Sequence, residues 1–573
     1  MLFRSKKIMK AGEYFNVTPP KKHRVIAITD IILQEVSTPE VDDVIRLEDD
    51  TNRADGRLEH EHIAPALCIV AAGKGTRMGS YAKHINKGLL PIDNKAIISD
   101  VINKTSNDYE IIVATGYKSE QVIEYCKAAH PDRSFTFVDV GKFEGQGTGP
   151  GFSLLKCKEH LQRPFYFVTG DCLIKDELPL LDSNWLGLYP TSIPEIYSSA
   201  KLDKNLNITE FVNKSKDGHE YAFIGLCGIL DFELFWNELE SQIGNSGEMV
   251  SAFYDIEKYN AKGKILDWYD IGTIENYIKA MNTFKSEKFG IPKTNGQFLY
   301  KVNDTCIKMF QETVDDKIHR ANNLQGYVPE LTYKGDNVFA YDWIDGLTLY
   351  DSKDEDKIKF IKWIGSEIRS NEEDVIIKKP CHEFYHQKTM KRLNSYLQNN
   401  SEKMFIEYTI NGQKYKSIDY YLDKIEWDKL STSYIATKIF HGDMQFDNII
   451  KTNNGFKFID WRDDFGGSIN YGDSYYDLAK LYGGICMNYS LMKDEANYSY
   501  SSSKTNIKYS YNGPDNKILH NEFHKMVLKF GYDYEKIKLL TAIIYLNMAP
   551  LHEKGLDHLL FAHAIASLGR IYD

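Results

Sequence analysis

The sequence predicts an α/β domain built on a doubly wound, mostly parallel sheet, followed by a second domain of α+β type. Two observations carry this. From about Ala66 to Phe284, apolar runs alternate with segments of helical spacing, the pattern of strands that cross over through helices. From about Thr294, short strand-like runs come first and helical periodicity then continues to the end. At 573 residues the chain also exceeds one hydrophobic core, and its length suggests roughly three to four domains.

In the first domain, expected over 64–288, Leu67–Ala72, Glu110–Ala114, Phe135–Val138 and Phe165–Thr169 read as buried strands. Ser119–Ala129 and Gly151–His160 read as helices. In the second, expected over 294–573, strands are predicted at Gln297–Val302, Cys306–Phe310 and Asn337–Tyr341 within a smaller part ending near 346. Mostly helix is predicted over 347–573, with the tyrosine-rich stretch Tyr498–Tyr511 as loop or surface. Residues 1–63 stand apart: one strand at Arg24–Ile28, then a polar, acidic run from Glu40 to His62 that reads as a linker of no assigned role.

Composition narrows the function classes. Apolar residues at 42% and charged residues at 26% are ordinary for a globular protein. A formal net charge of −11 argues against a nucleic-acid partner. Eight cysteines without any CxxC pair predict reduced thiols rather than zinc or disulfides. No apolar run reaches the roughly 18–20 residues of a membrane span. The opening MLFRSKKIMKAGEYF is positively charged but lacks an apolar core, so no secretory signal and a cytoplasmic location are expected.

Chemistry concentrates in two places. Ala71-Ala72-Gly73-Lys74-Gly75-Thr76-Arg77-Met78-Gly79 directly follows a predicted strand. Its glycines let backbone N–H groups approach an anion closely. It is not a Walker loop, and Met78 replaces the third glycine of a dinucleotide fingerprint. Lys87 follows in Asn86-Lys87-Gly88-Leu89-Leu90-Pro91. Asp171 ends a predicted strand on the sheet edge where ligands bind. Asp270 precedes a helix start, and Lys214 follows Val212-Asn213.

This set resembles nucleoside-triphosphate transferases, including choline-phosphate cytidylyltransferases and sugar-1-phosphate nucleotidyltransferases, with a Rossmann-like sheet. The resemblance implies that Ala72, Gly73, Gly75, Thr76 and Arg77 wrap the triphosphate. It further implies that Lys87 neutralises charge in the transition state, that Asp171 and Asp270 hold Mg²⁺, and that Lys214 receives the acceptor phosphate. Asn213-Lys214-Ser215 departs from the family's usual Glu-Lys-Pro. The run Gly145-Gln146-Gly147-Thr148-Gly149 falls where the family contacts the base or the acceptor.

The second place is His441-Gly442-Asp443-Met444-Gln445-Phe446-Asp447-Asn448, with a predicted strand at Phe456–Ile459 delivering Asp460. The Asp443-to-Asn448 spacing equals that from base to metal ligand in a kinase catalytic loop. The ordered set, with Trp461 after Asp460, resembles aminoglycoside phosphotransferases and choline kinases, which implies a bilobal protein-kinase-like fold. Asp443 is then the base, Asn448 and Asp460 hold Mg²⁺, and Lys308 binds the ATP phosphates. Asp477 resembles the structural acid of that family, and Tyr341–Gly346 the connector between lobes. Asp463, Asp464 and Asp473 could orient a polar acceptor, with solvated surface acids as the default reading.

Together the two halves imply a bifunctional enzyme. The second phosphorylates a small alcohol or sugar with ATP, and the first couples that phosphomonoester to a nucleotide from CTP, or from UTP. Choline, ethanolamine or a polyol is favoured as the alcohol, with Trp461, Tyr471, Tyr475 and Tyr476 as candidates for an aromatic cage. The alternative is one active nucleotidyltransferase carrying a kinase-fold binding or regulatory module. Expected partners are these small molecules and nucleotides, with no nucleic acid and no membrane; a homo-oligomer is allowed.

Overall fold

A computed structural model describes residues 8–15, 64–244, 247–284, 296–400, 406–553 and 555–573. The chain divides into two units, 1–63 and 64–573. In the first, the described residues 8–15 are exposed and turn where Glu13 N–H donates to Lys10 O at 3.1 Å. The strand expected at Arg24–Ile28, the acidic run from Glu40 to His62 and the boundary between 288 and 294 lie outside the described residues.

The second unit opens on a nine-stranded sheet. Ala66–Val70, Ile111–Thr115, Phe135–Asp139 and Phe165–Thr169 are its parallel centre, each close to an expected strand. They are runs of Ile, Val, Phe and Ala, because helices cover both faces of a parallel sheet. One such helix, Ser119–Ala129, buries Val122, Tyr125, Cys126 and Ala129, positions three or four apart. The expected helix Gly151–His160 is Pro150–Lys156 followed by a 3₁₀ turn.

The sheet is not mostly parallel. Tyr221–Ile229 pairs antiparallel with Phe165–Thr169 and leads into antiparallel strands Ser198–Leu202 and Ile208–Asn213. Alternating apolar runs do not encode strand direction; only the length and path of the connections do. Beyond the sheet, Cys172–Ile174 and Trp268–Asp270 form a two-stranded ribbon in which Asp270 faces Cys172.

From residue 298 the chain builds a four-stranded antiparallel sheet, with Phe298–Val302, Thr305–Met309, Val338–Asp342 and Leu331–Lys334 in spatial order. The first two form a hairpin turning at Asn303, whose φ of 52° suits a tight turn. This sheet shares a core with the nucleotide-loop half. Tyr300, Ile307, Met309, Val338 and Ala340 are buried together with Leu89, Tyr125 and Tyr277. Burying side chains of this size stabilises a core by about 1.5–3 kcal/mol each.

The remainder is mostly helical, packed around Ser474–Cys486, Tyr534–Met548 and Leu556–Tyr572. Tyr498–Tyr511, expected as loop or surface, lies largely at the surface but is not a loop. That stretch is a β-hairpin, Tyr498–Ser503 with Asn506–Tyr511, and pairs through the latter with Glu407–Ile410. Its sequence alternates tyrosine with serine and lysine, and Tyr509 turns inward to bond His563 at 2.9 Å. No described helix is long and apolar enough to cross a membrane.

Candidate active sites

The first site is assembled at the carboxyl end of Ala66–Val70. There the loop is pinned before it becomes free. Ala71 N–H donates to Ala114 O, and Tyr117 N–H donates to Ala72 O, both at 2.9 Å. Gly73 then emerges with open space where a Cβ would stand. Gly75 has φ 62°, and a Cβ there would press on the Lys87 side chain at 3.2 Å. Thr76 and Arg77 are exposed at the start of a 3₁₀ turn. Backbone N–H groups of such a turn are ready for a polyanion.

Buried Asn86 fixes the floor under Lys87. Its amide donates to Ala71 O and Tyr117 O, both at 2.8 Å, and its oxygen accepts from Gly88 N–H at 2.9 Å. The Lys87 ammonium forms an ion pair with Asp171. Burial pushes the Asp171 carboxyl up, but Lys87 and a bond from Thr169 outweigh this and hold it below its usual range. Asp171 is therefore ionised at neutral pH.

Asp270 stands beside it, because its strand partner is Cys172, the residue after Asp171. Its carboxylate accepts from Gly272 N–H at 2.7 Å, and from Tyr197 O–H and Asn276 Nδ2 at 3.0 Å each. Burial and then the Asp270 charge push the Tyr197 phenol up to about 12. Lys214 adopts φ 45°, and its N–H bonds Tyr197 O at 3.2 Å. Its half-exposed ammonium lies 3.8 Å from Glu248. Tyr197 thus links the backbone of Lys214 to the carboxylate of Asp270. The run Gly145–Gly149 packs on 247–249, where a Cβ on Gly247 would meet Gly147 O at 2.4 Å. Lys74 reaches toward that run and pairs with Glu144 at 2.7 Å.

Two neighbouring carboxyl groups fit Mg²⁺, which takes one or two protein carboxylates and fills its shell with phosphate and water. Among the described residues no group of three or more His, Cys, Asp or Glu could hold a metal by itself.

The second site lies on the other half. His441 is fully buried. Its Nε2–H donates to Ile459 O at 2.9 Å, and its Nδ1 accepts from Asp443 N–H at 3.1 Å. Burial pushes its imidazole down to about 4, so the ring is neutral and this tautomer is fixed. Asp477 accepts from the N–H groups of His441 and Gly442, both at 2.7 Å, and so clamps the loop from below.

Asp443 is thereby presented to three side chains. Lys480 lies 2.7 Å from its carboxylate, Asn448 Nδ2 donates to it at 3.1 Å, and Gln445 approaches at 3.4 Å. Burial pushes the Asp443 carboxyl up; Lys480, Arg462 and His441 bring it below its usual range. The short strand Gly455–Phe458 leads to Asp460, which takes φ 58°. Asp460 forms an ion pair with Lys308, from the strand Thr305–Met309. Lys308 is buried, yet the adjacent Asp460 raises its affinity for the proton and keeps it charged. Asn448 bonds Asp443 at 3.1 Å and accepts at its backbone carbonyl from Ile459 N–H, the residue before Asp460, at 2.9 Å, and an amide and a carboxylate oxygen are donors that suit Mg²⁺.

The structure corrects two expectations here. Asp473 is no surface acid: it is fully buried, accepts Tyr385 O–H at 2.7 Å and pairs with Lys536 at 3.1 Å. It caps Ser474–Cys486, a demand for a carboxylate that adjacent sequence does not display. The four aromatics form no cage. Trp461 stacks under Phe339 with its N–H on Lys317 O, Tyr475 packs on Lys536, Tyr476 on Phe384, and Tyr471 bonds Glu373. The predicted sites also omitted Asn86, Tyr197, Asn276 and Lys480. Lys480 alone had a readable cue, three residues after Asp477 on one helix face.

Comparison with known proteins concerns the first half. The chain is 24% identical over 247 residues to the bifunctional protein GlmU of Methanocaldococcus jannaschii, covering 42% of this chain and 57% of that one. It thus spans little more than half the length of that relative. It is 23% identical over 258 residues to a UTP–glucose-1-phosphate uridylyltransferase of Staphylococcus epidermidis, covering 37% of this chain and 88% of the other. The solved CTP:phosphocholine cytidylyltransferase of Streptococcus pneumoniae aligns over 39% of this chain and all of its own, at 20% identity and TM-score 0.34. Residues 67–178, which carry the glycine loop, Lys87 and Asp171, match the MobA-like NTP transferase domain family.

Proposed function

We propose that the chain is a bifunctional enzyme whose second half, 294–573, phosphorylates a small alcohol or sugar and whose first half, 64–288, couples the product to a nucleotide. The observation that carries the reading is the pairing of Lys87 with Asp171 under the glycine loop, inside the NTP transferase domain. The arrangement of Asp443, Asn448, Asp460 and Lys308 supports the kinase half.

In the kinase half, Asp443 accepts a hydrogen bond from the alcohol and takes its proton as the oxygen attacks the γ-phosphorus of ATP. ADP leaves, and ROH plus ATP gives RO-phosphate, ADP and a proton. Lys308 holds the phosphates. Asn448 and Asp460 would hold Mg²⁺, which when bound neutralises phosphate charge.

In the transferase half, N–H groups of residues 72–77 and the Arg77 side chain hold the nucleoside triphosphate. RO-phosphate, steered by Lys214, attacks the α-phosphorus, and pyrophosphate leaves. Lys87 offsets the charge that builds up there. Asp171 and Asp270 would hold Mg²⁺, which offsets triphosphate charge. CTP is the favoured donor, UTP the next, and the activated product suits surface-glycan biosynthesis in the cytoplasm.

A mass-spectrometric screen of alcohols and sugars with ATP and all four nucleoside triphosphates tests this. The expected result is a nucleotide-linked product that needs both ATP and a second triphosphate. A nucleotide-linked product that forms only from a supplied phosphomonoester would reduce the second half to a binding module.

A further inference from the structure

Beside the Asp443 loop stands a group of cations that neither reaction above employs. Lys388 and Arg392 are one turn apart on the helix Lys388–Asn399 and therefore share a face. The Lys388 ammonium lies 3.5 Å from the centre of the Phe384 ring and 5.9 Å from that of Tyr476. The Arg462 guanidinium approaches the same Phe384 ring at 5.4 Å. Lys480, one turn beyond Tyr476, holds the Asp443 carboxylate at 2.7 Å. Lys480 and Tyr476, one turn apart on Ser474–Cys486, thus approach Asp443 and Lys388 respectively.

Burial leaves Lys388 and Arg392 poorly compensated, whereas burial of Arg462 is outweighed by Tyr476, Asp443, Asp463 and Asp464. Among the described residues, Lys388, Arg392 and Arg462 form no ion pair. Arg462 donates Nε to Gly442 O at 3.3 Å, and Arg392 donates to Asn547 O at 3.1 Å. Asp464, whose charge reaches both Lys388 and Arg462, accepts Gly467 N–H at 2.7 Å. Asp463 also acts on Arg462. Burial pushes the Lys388 ammonium down to about 5, and Arg462, Arg392 and Lys480 push the same way. A bound anion would favour the protonated form of Lys388 and offset the charges of Arg392 and Arg462. Directly before Lys388, Glu383–Gln387 forms a π-helical turn, a distortion that recurs at functional sites.

We infer that the alcohol phosphorylated beside Asp443 carries an anionic group, a carboxylate or a phosphate, that is held by Lys388, Arg392 and Arg462. The inference rests on the kinase reading of this half and narrows its substrate class. The hydroxyl is then bound at Asp443 and the anionic end at Lys388, beside the rings of Phe384 and Tyr476. Choline and ethanolamine, both cations, are then rejected by the site. The transferase half receives an acceptor that is anionic at both ends.

The test uses the full chain with MgATP and four classes of acceptor. Glycerate and gluconate supply carboxylates, glycerol 3-phosphate a phosphate, glycerol and ribitol are neutral, and choline and ethanolamine are cationic. Phosphorylation is read by mass spectrometry and MgATP binding by calorimetry. The expected result is turnover of an anionic class with kcat/KM at least tenfold above the others; which class wins separates carboxylate from phosphate. Lys388→Gln and Arg392→Gln should raise the acceptor KM tenfold or more and leave the KM for MgATP unchanged, and Lys388→Arg should restore most of the loss. Preference for a neutral or cationic alcohol, or a Lys388→Gln effect on the KM of MgATP alone, overturns the inference and leaves the kinase standing. Absence of both MgATP binding and phosphorylation overturns the kinase reading, and the inference falls with it.

Discussion

Tyr300 of the second half donates its phenol to the carbonyl of Leu89 in the first, at 2.7 Å, two residues beyond Lys87. Its ring meets that of Tyr125 edge-on at 4.8 Å, and the next residue, Lys301, bonds Asn94 O at 2.8 Å. The strand that supports the Lys87 segment is paired, at Leu299, with Lys308 of the other site. The two candidate sites therefore share the strand Phe298–Val302 and the core around it.

Tyr300→Phe should leave Leu89 O without its partner and cost about 1–3 kcal/mol. The expected readouts are a lower melting temperature and a nucleotidyltransfer rate reduced a few-fold. A chain ending at residue 284 should aggregate, because Leu89, Tyr125 and Tyr277 lose the apolar cover of Tyr300, Ile307 and Val338. A monodisperse, fully active 64–284 fragment would show that the shared core is dispensable.

The two half-reactions should separate by mutation. Asp443→Asn should lower ATP-dependent phosphorylation by about 10²–10⁴-fold, with pyrophosphate release from a supplied phosphomonoester unaffected. Asp171→Asn should do the reverse, with a loss of about 10²-fold or more in pyrophosphate release. Coupled-enzyme assays for ADP and for pyrophosphate measure the two independently.

Acid should loosen the Asp443 loop through His441. Its imidazole pKa is lowered by burial from 6.5 to about 4. A lowered folded-state value contributes stability that is fully present above pH 6.5 and is lost as the pH falls through about 4. The contribution is on the order of 3 kcal/mol. His441→Gln keeps a donor and an acceptor without a titrating ring. Its melting temperature should fall less than that of the parent between pH 7 and pH 4.5, although His130 and His563, also lowered to about 4, titrate in both.

Gly75→Ala should impair nucleotidyltransfer more than it lowers stability. The left-handed backbone costs an L-residue about 1–2 kcal/mol, and the added methyl would displace Lys87. A steady-state assay should show kcat/KM for the nucleoside triphosphate reduced tenfold or more. Unchanged kinetics would mean that the loop does not set the position of Lys87.

Much of this was readable before any coordinates. The parallel strands are continuous apolar runs bounded by glycine, and the helix Ser119–Ala129 announces itself by spacing. The glycine loop, Lys87 and the Asp443–Asn448 segment are each local, so their residue types and order are visible within a dozen positions. What escaped is relational. Asp473 is buried by Tyr385 and Lys536, which lie 88 and 63 positions away. The cluster of Lys388, Arg462 and Lys480 joins three elements that no periodicity links. The hairpin at Tyr498–Tyr511 was disguised by composition: tyrosine and serine alternate as a strand requires, but few of the residues are apolar enough to signal a buried face.

The shared core also fixes a ratio. Two enzymes made as separate chains can drift in abundance, and their intermediate then rises or falls with synthesis and degradation of each. Here both halves are one polypeptide with a shared core, so under the proposed pair of reactions the supply of phosphomonoester and the demand for it would depend only on the turnover rates of two sites present in equal number.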